Sequence, residues 1–234
     1  MLTRRQFERA RDPTTIPLAN LGFHPGGRSH PSLGGLKRTV DVTVSALMLV
    51  VLSPVLLLVA LVIFVTMGRP ILFIQERPGL GGKPFQLIKF RSMSNQSGAD
   101  GKALPDAQRL GKVGQWLRST SLDELPELVN VLRGDMSLVG PRPLLMEYLP
   151  LYSPEQSRRH EVRPGLTGLA QISGRNALGW EEKFALDVRY VDQWSMRLDS
   201  KILAATAWKV LTRQGIGHAD GPTAPKFEGN RTGQ

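Results

Sequence analysis

Residues 42–67 read VTVSALMLVVLSPVLLLVALVIFVTM, 26 positions without one charged side chain. About 20 apolar residues suffice to cross a hydrocarbon core, so this stretch is long enough to enter a bilayer. Buried helices of soluble proteins rarely stay apolar all round for seven turns. A secretory signal fits poorly: the stretch begins at residue 42, exceeds an h-region and has no small-residue cleavage site after it. Ser53-Pro54 stands at its centre. Proline lacks an amide hydrogen, so the carbonyl of Val50 loses its helical donor and is crowded by the ring. The Ser53 hydroxyl is expected to bond back to the carbonyl of Leu49, which favours a bend. Two readings follow: a kinked spanning helix, or a re-entrant one that breaks near Pro54 and leaves on the side it entered. Lys37 and Arg38 precede the stretch while Arg69, Arg77 and Lys83 follow it, so the positive-inside rule finds no clear asymmetry. Each half would extend ~18–21 Å at ~1.5 Å per residue, past the bilayer midplane. Physical chemistry alone leaves the two readings open.

Taken whole, the 234-residue chain has a composition close to that of a soluble protein. Hydrophobic residues make up 41% and mean hydropathy is -0.14, which excludes a polytopic transporter. Cysteine is absent, and with it disulfides, thiolate zinc sites, iron–sulfur clusters and a cysteine nucleophile; a reducing compartment fits. Thirty Lys and Arg against 20 Asp and Glu leave a charge of +10. That charge implies a polyanionic partner: nucleic acid, an anionic membrane surface or phosphorylated substrates. His24, His30, His160 and His218 are scattered, and no HExxH or GxSxG occurs. Any metal should therefore be an oxygen-liganded ion such as magnesium.

Four segments are expected. Residues 1–36 form a largely disordered basic tail, with room for a short helix over 2–11, and 37–69 the membrane segment. Residues 70–215 form the catalytic domain and 216–234 a flexible tail. ILFIQERPGLGGKPFQLIKFRSM, residues 71–93, predicts two strands joined by a Gly-rich turn, with Phe85, Leu87, Lys89 and Arg91 on one face. The turn is not a phosphate loop, because the GxxxxGK[ST] spacing fails and Pro84 follows Lys83. Residues 94–108 are a polar loop. Helical patterns return through Trp116 and again after Leu122, with Leu125, Leu128, Val129 and Leu132 on one face, and residues 180–213 hold two more helices. Trp180, Trp194 and Trp208 recur every 14 residues as core or interfacial anchors. The expected fold is α+β: a mainly helical domain with a small antiparallel hairpin, anchored by one N-terminal membrane helix.

The candidate chemistry lies in LRSTSLDELPELVNVLRGDMSLVGPRP, residues 117–143. Asp123 and Glu124 adjoin a helix start, and Ser121 with Glu124 matches a capping box. Acids favour helix N-termini for dipole reasons alone, so the pair by itself signals no more than that. Pro126 disturbs a helix begun at Ser121, which puts the acids on an irregular first turn. Arg118 precedes Asp123 by five positions, and Arg142 follows it by nineteen between Pro141 and Pro143. A carboxylate pair among arginines, next to a membrane segment, suits phosphate chemistry. Arginines orient and neutralise phosphate oxygens, one acid holds magnesium and the other attacks phosphorus.

KRTVDVTVSALMLVVLSP, IKFRSM, LRSTSLDELPELVNVLRGDMSLVGPRPLL and RPGLTGLAQISGRN occur in the order and approximate spacing of one family. Over residues 37–211 the chain resembles bacterial sugar transferases of the monotopic phosphoglycosyl transferase family, in their minimal form. The resemblance implies transfer of a sugar-1-phosphate from a UDP-sugar to polyprenyl (undecaprenyl) phosphate, releasing UMP, as the first membrane step of polysaccharide or glycoconjugate assembly. It implies Asp123 as the nucleophile of a covalent phosphosugar intermediate and Glu124 as a Mg2+ ligand. Lys89, Arg91, Arg118, Arg142, Arg163 and Arg175 become candidate phosphate contacts, each with a plainer reading as a solvated or structural cation. The family's Ser-Pro break matches Ser53 and Pro54 and favours the re-entrant topology. That places the enzyme at the bacterial cytoplasmic membrane with its catalytic domain facing the cytoplasm. The lipid bilayer is then a partner, nucleic acid is not, and a homo-oligomer is compatible. The chain departs from the family at Arg189 and Arg197, flanking Trp194 where more tryptophan is usual, and at Gly111, where threonine is frequent. Two other functions compete: a glycosyltransferase releasing UDP, and a non-catalytic basic membrane scaffold, whose polyanion binding would be salt-sensitive.

Overall fold

The computed structural model of the chain describes residues 31–96, 104–174, 178–212 and 226–229. Helix α1 (Pro31–Val51) meets α2 (Ser53–Met67) at a bend of 62°. Pro54 sits in the first turn of α2, where a missing amide hydrogen does no harm. The Ser53 hydroxyl donates to the carbonyl of Val50 at 2.8 Å, not to Leu49 as the sequence suggests. Pro54 leaves the Val50 carbonyl without an amide donor, and the opened turn brings the hydroxyl to it. Among the described residues no single helix is long and apolar enough to cross a membrane, whereas the bent pair meets that length and composition together. Leu47, Val50, Leu57, Leu58, Leu61 and Val65 are each more than half exposed, while Val59 and Ile63 pack on Phe90 and Leu117 of the domain.

The charged start of α1 serves docking. Lys37 pairs with Asp199 at 2.5 Å, and the Arg38 guanidinium donates to the carbonyls of Val131 and Leu132. Buried Asp41 accepts the backbone amide of Leu138 at 3.1 Å. Thus the cations that flank the apolar stretch bind it to the domain before the chain turns wholly apolar.

The expected hairpin is present. Strand β1 (Leu72–Pro78) pairs antiparallel with β2 (Pro84–Phe90), with Leu72 opposite Phe90 and Arg77 opposite Phe85. Gly81 and Gly82 adopt φ of +63° and +73°, a backbone that their missing Cβ permits. Helix α3 (Lys112–Ser119), a 3₁₀ turn (Leu122–Glu124) and α4 (Glu127–Arg133) follow. Beyond α4, β3 (Ser137–Val139) pairs in parallel with β4 (Gly165–Thr167). A Cβ on Gly165 would lie 2.0 Å from the Gly140 amide nitrogen, and one on Gly168 2.1 Å from the Gly140 carbonyl. Glycine therefore lets the 140–143 turn press against the 163–168 segment, backbone on backbone. Helices α5 (Leu169–Ser173), α6 (Trp180–Gln193) and α7 (Met196–Thr212) complete the domain around Leu128, Val131, Met136, Leu169, Ile172 and Ile202.

Of the expected tail, only residues 226–229 are described. Residues 226–229 pack on the domain, with Phe227 only 6% exposed, because an aromatic box offers its ring a site. The expected helix over 2–11, residues 97–103 of the polar loop and Arg175 lie outside the described residues.

Candidate active site

The dyad sits on a strained turn. Leaving α3, the chain reaches Ser121 at φ +56°, the one non-glycine among the described residues in the left-handed region. That conformation costs roughly 1–2 kcal/mol. Leu122 packs against the cluster of Val59, Ile63, Phe90 and Leu117, and the Thr120 hydroxyl bonds the carbonyls of Trp116 and Leu117, which hold the kink. The expected capping box does not form, since a left-handed Ser121 directs its side chain away from the helix start. Asp123 and Glu124 instead occupy the 3₁₀ turn, and Pro126 opens α4 at φ -62°, the irregular start that Pro126 implied.

Strand β2 brings Lys89 to this turn. Asn130 of α4, fully buried, accepts the Ile88 amide at 3.0 Å and donates to the Gln86 carbonyl at 2.7 Å, tying the free strand edge to α4. Lys89 then reaches Glu124 at 3.1 Å and Glu127 at 2.9 Å, while Arg142 reaches the same Oε1 of Glu124 at 2.5 Å. Burial pushes the Asp123 carboxyl up to about 6, the Glu124 charge pushes it the same way, and Lys89, Arg118 and Arg142 oppose both. Burial also works against the Glu124 carboxylate, but Arg142 and Lys89 outweigh it and hold the pKa below the usual range. Burial and the Glu124 charge raise Glu127 to about 7 against the pull of Lys89. Two adjacent acids thus hold their protons very differently. The lower-pKa acid is clamped by cations, and the other is a buried carboxylate of raised basicity.

The structure joins Asp123, Glu124, Lys89, Arg118 and Arg142. Arg118 donates from Nε to the Ser92 hydroxyl at 3.0 Å, and its charge acts on Asp123. Arg91 and Arg163 are held elsewhere. Arg91 is 4% exposed and donates to the carbonyls of Met67, Gly68 and Arg69, capping the end of α2. Arg163 donates to the Gly134 carbonyl at 2.8 Å, at the end of α4 opposite the dyad.

Sequence reading missed four residues here. Glu127, one turn beyond Asp123, opens α4 and carries no signal of its own in the sequence. Arg77 shares a strand face with Gln75 and donates to it at 2.6 Å, while its Nε is buried with no hydrogen-bond partner. Burial lowers the Arg77 pKa, and so does the Arg142 charge. Arg159 and Asp187 form a pair that is almost wholly buried, and Arg159 also donates to the Arg142 carbonyl at 2.7 Å. These two lie 28 residues apart, and no spacing signals them.

No group of three or more His, Asp or Glu converges as a metal cage among the described residues. Both cations on Glu124 use Oε1, so its second oxygen remains for a hard ion. Magnesium commonly takes one or two carboxylates and completes its shell with water and phosphate oxygens. The donor set fits that kind of site rather than a closed cage. A cavity of about 500 Å³ on α6 is lined by Ser153, Phe184 and Arg189 among others, and includes neither acid of the dyad.

Comparison with known proteins agrees with this geometry. The chain is 54% identical over 195 residues to the uncharacterized sugar transferase EpsL of Bacillus subtilis (strain 168), across 83% of this chain and 96% of that one. It is 45% identical over 189 residues to the UDP-glucose:undecaprenyl-phosphate glucose-1-phosphate transferase of Caulobacter vibrioides, across 75% and 70%. To the exopolysaccharide production protein ExoY of Sinorhizobium fredii it is 38% identical over 201 residues, across 78% and 89%. Residues 33–213, which carry the bent helix pair, the hairpin, the dyad and its cations, match the bacterial sugar transferase model, and the chain belongs to that family.

Proposed function

We propose that this protein transfers a sugar-1-phosphate from a UDP-sugar to undecaprenyl phosphate and releases UMP, opening the assembly of a polysaccharide or glycoconjugate. The observation that carries the reading is the adjacency of a buried, basic Asp123 and a cation-clamped Glu124. An Asp123 oxygen attacks the sugar-bearing phosphorus, the bond from that phosphorus to the UMP oxygen breaks, and UMP leaves with the electron pair. A phosphate oxygen of the acceptor then attacks the same phosphorus and expels the Asp123 carboxylate. Arg142, Lys89 and Arg118 spread positive charge over oxygens whose negative charge grows in each step. Glu124, with the diphosphate, would hold Mg2+, which supplies further charge neutralisation when bound.

We read the bent pair as a re-entrant anchor in the cytoplasmic membrane, with the domain on the cytoplasmic side. Support comes from the Ser53-Pro54 break, the exposed apolar surface around it, and docking of the charged end of α1 onto the domain. Arg91 joins the exit of α2 to the strand end two residues beyond Lys89. Membrane helix and catalytic lysine are thereby fixed together, where a lipid phosphate and a soluble nucleotide meet.

Nucleotide release tests the reaction. Protein in detergent with magnesium and undecaprenyl phosphate is offered a panel of UDP-sugars beside Asp123→Asn. UMP from one sugar, abolished in the variant, is expected. UDP release, or turnover that survives the substitution, overturns the reading.

A further inference from the structure

Residues 226–229 lie beyond the 33–213 stretch that matches the family, yet they enter the neighbourhood of the active site. The Phe227 ring sits 5.0 Å from that of Phe184, 5.7 Å from Tyr148 and Trp180, and 5.9 Å from Tyr152. Its backbone amide donates to the Tyr148 hydroxyl at 3.2 Å, and Lys226 lies 3.4 Å from the Glu147 carboxylate. The other side of this box is closed by Arg159. That guanidinium lies 5.7 Å from the Tyr152 ring centre and 5.6 Å from that of Phe184, and it donates to the Tyr152 hydroxyl at 3.1 Å. Its remaining donors go to Asp187 at 3.0 and 2.7 Å and to the Arg142 carbonyl at 2.7 Å. Arg142 in turn clamps Glu124. One unbroken line of contacts therefore runs from the C-terminal segment to the dyad.

We propose that residues 226–229 are a strap that completes the active site, with Phe227 locking the aromatic box so that Arg159 holds the backbone of Arg142 in place. A buried aromatic ring contributes 150–250 Å² of contact at low entropy cost, and truncating it leaves a cavity that neighbours fill only in part. Tyr152 and Phe184 each lean on Phe227 on one side and on Arg159 on another. Loosening them frees the guanidinium that grips the Arg142 carbonyl. Phe227 is thus a positioning residue. It touches no reacting atom.

This inference rests on the transferase reading, and the experiment separates the two. In the full chain, Phe227→Ala should lower kcat/KM for the donor about tenfold, and Phe227→Leu, which refills most of the box, should recover most of it. Trp180 fluorescence should shift to the red in Phe227→Ala, and the shift should vanish in a Trp180→Phe background. Combined with Arg159→Lys, Phe227→Ala should add little further loss, because both act through the same carbonyl. Unchanged Trp180 emission would mean that Phe227 leaves the box empty in solution. Unchanged kcat/KM, or losses that multiply in the double variant, would reduce the box to ordinary packing. Either result overturns the strap. An unaltered chain that turns over no UDP-sugar rejects the transferase reading instead, and Trp180 emission still reports whether the strap is docked.

Discussion

Asp123 and Glu124 adjoin on one 3₁₀ turn, yet the first is pushed up to about 6 by burial and by its neighbour's charge while Arg142 and Lys89 hold the second below the carboxylate range. One acid therefore changes charge near neutral pH and the other stays ionised. In the proposed mechanism that division gives the two jobs, nucleophile and anchor for cations, to consecutive residues.

The proposed attack needs ionised Asp123, so kcat/KM should climb with pH through about 6 and level off above it. The same group sets a stability slope. Its folded pKa is raised above the ordinary 3.8, so its contribution is complete below that value and is lost as pH rises through about 6. Asp123→Asn should be inactive yet more stable at pH 7.5 by about 1–3 kcal/mol, at ~1.4 kcal/mol per unit. Thermal melts of both proteins at pH 4.5 and 7.5 check this, and an equal gap at the two values would contradict it.

Glu124→Gln removes a negative charge that raises Asp123 while leaving Lys89 and Arg142 beside it. The acid limb of the residual activity should move to lower pH, and kcat/KM should fall about 100-fold or more. Stimulation by added magnesium should weaken in parallel. A variant that keeps the wild-type response to magnesium would place the ion elsewhere.

Arg91→Gln takes charged donors from three carbonyls at the end of α2. Stability should drop by about 2–4 kcal/mol, while the donor KM of the folded protein stays near wild type. A raised KM with unchanged melting would restore Arg91 to the phosphate site.

The Arg77 guanidinium donates to neutral Gln75, its Nε is buried without a partner, and the charges of Arg142 and Glu127, on the side of the dyad, and of Glu147 act on it. Arg77→Gln should raise the donor KM by about 5- to 50-fold and weaken product inhibition by UMP to a similar degree, with a smaller change in kcat. Inhibition constants for UMP and for uridine, measured side by side, report whether phosphate is what Arg77 recognises.

The chain has no cysteine, so single labels are clean. Cysteines at Gly35 and Lys83 should react from the same side of the membrane. Replacing Ser53 and Pro54 with leucine restores the helical amide donor to Val50 and should straighten the pair, carrying one label across. Opposite-side labelling in the unaltered chain would mean a spanning helix.

The hairpin, the break at Ser53-Pro54, the irregular dyad turn and the cations Lys89, Arg118 and Arg142 were all legible in the sequence. The hairpin, the break and the irregular turn rest on local rules, since proline withholds a donor and glycine reaches positive φ; alternation puts Lys89 on its strand face, whereas Arg118 and Arg142 come from the motif resemblance. Arg91 shows where such rules end. Alternation places it with Lys89, but its donors go to three carbonyls at the exit of α2. Lys37 and Arg38 likewise read as flanks of a membrane segment, and they act as ties to Asp199 and to the end of α4.

What the sequence by itself determined is the hairpin, the helix break and the main helices, since backbone propensity and hydrophobic run length are carried by adjacent positions, while the roles given to the dyad come from the family resemblance. Tertiary structure alone decided which cation meets which partner. Glu127 joining Lys89, Arg159 joining Asp187 and the Arg142 carbonyl, and Phe227 closing a box of four rings span separations that no local pattern encodes. The physical reason is desolvation: in a buried site a charge or ring takes the partner that packing brings within reach, and chain order does not set that distance.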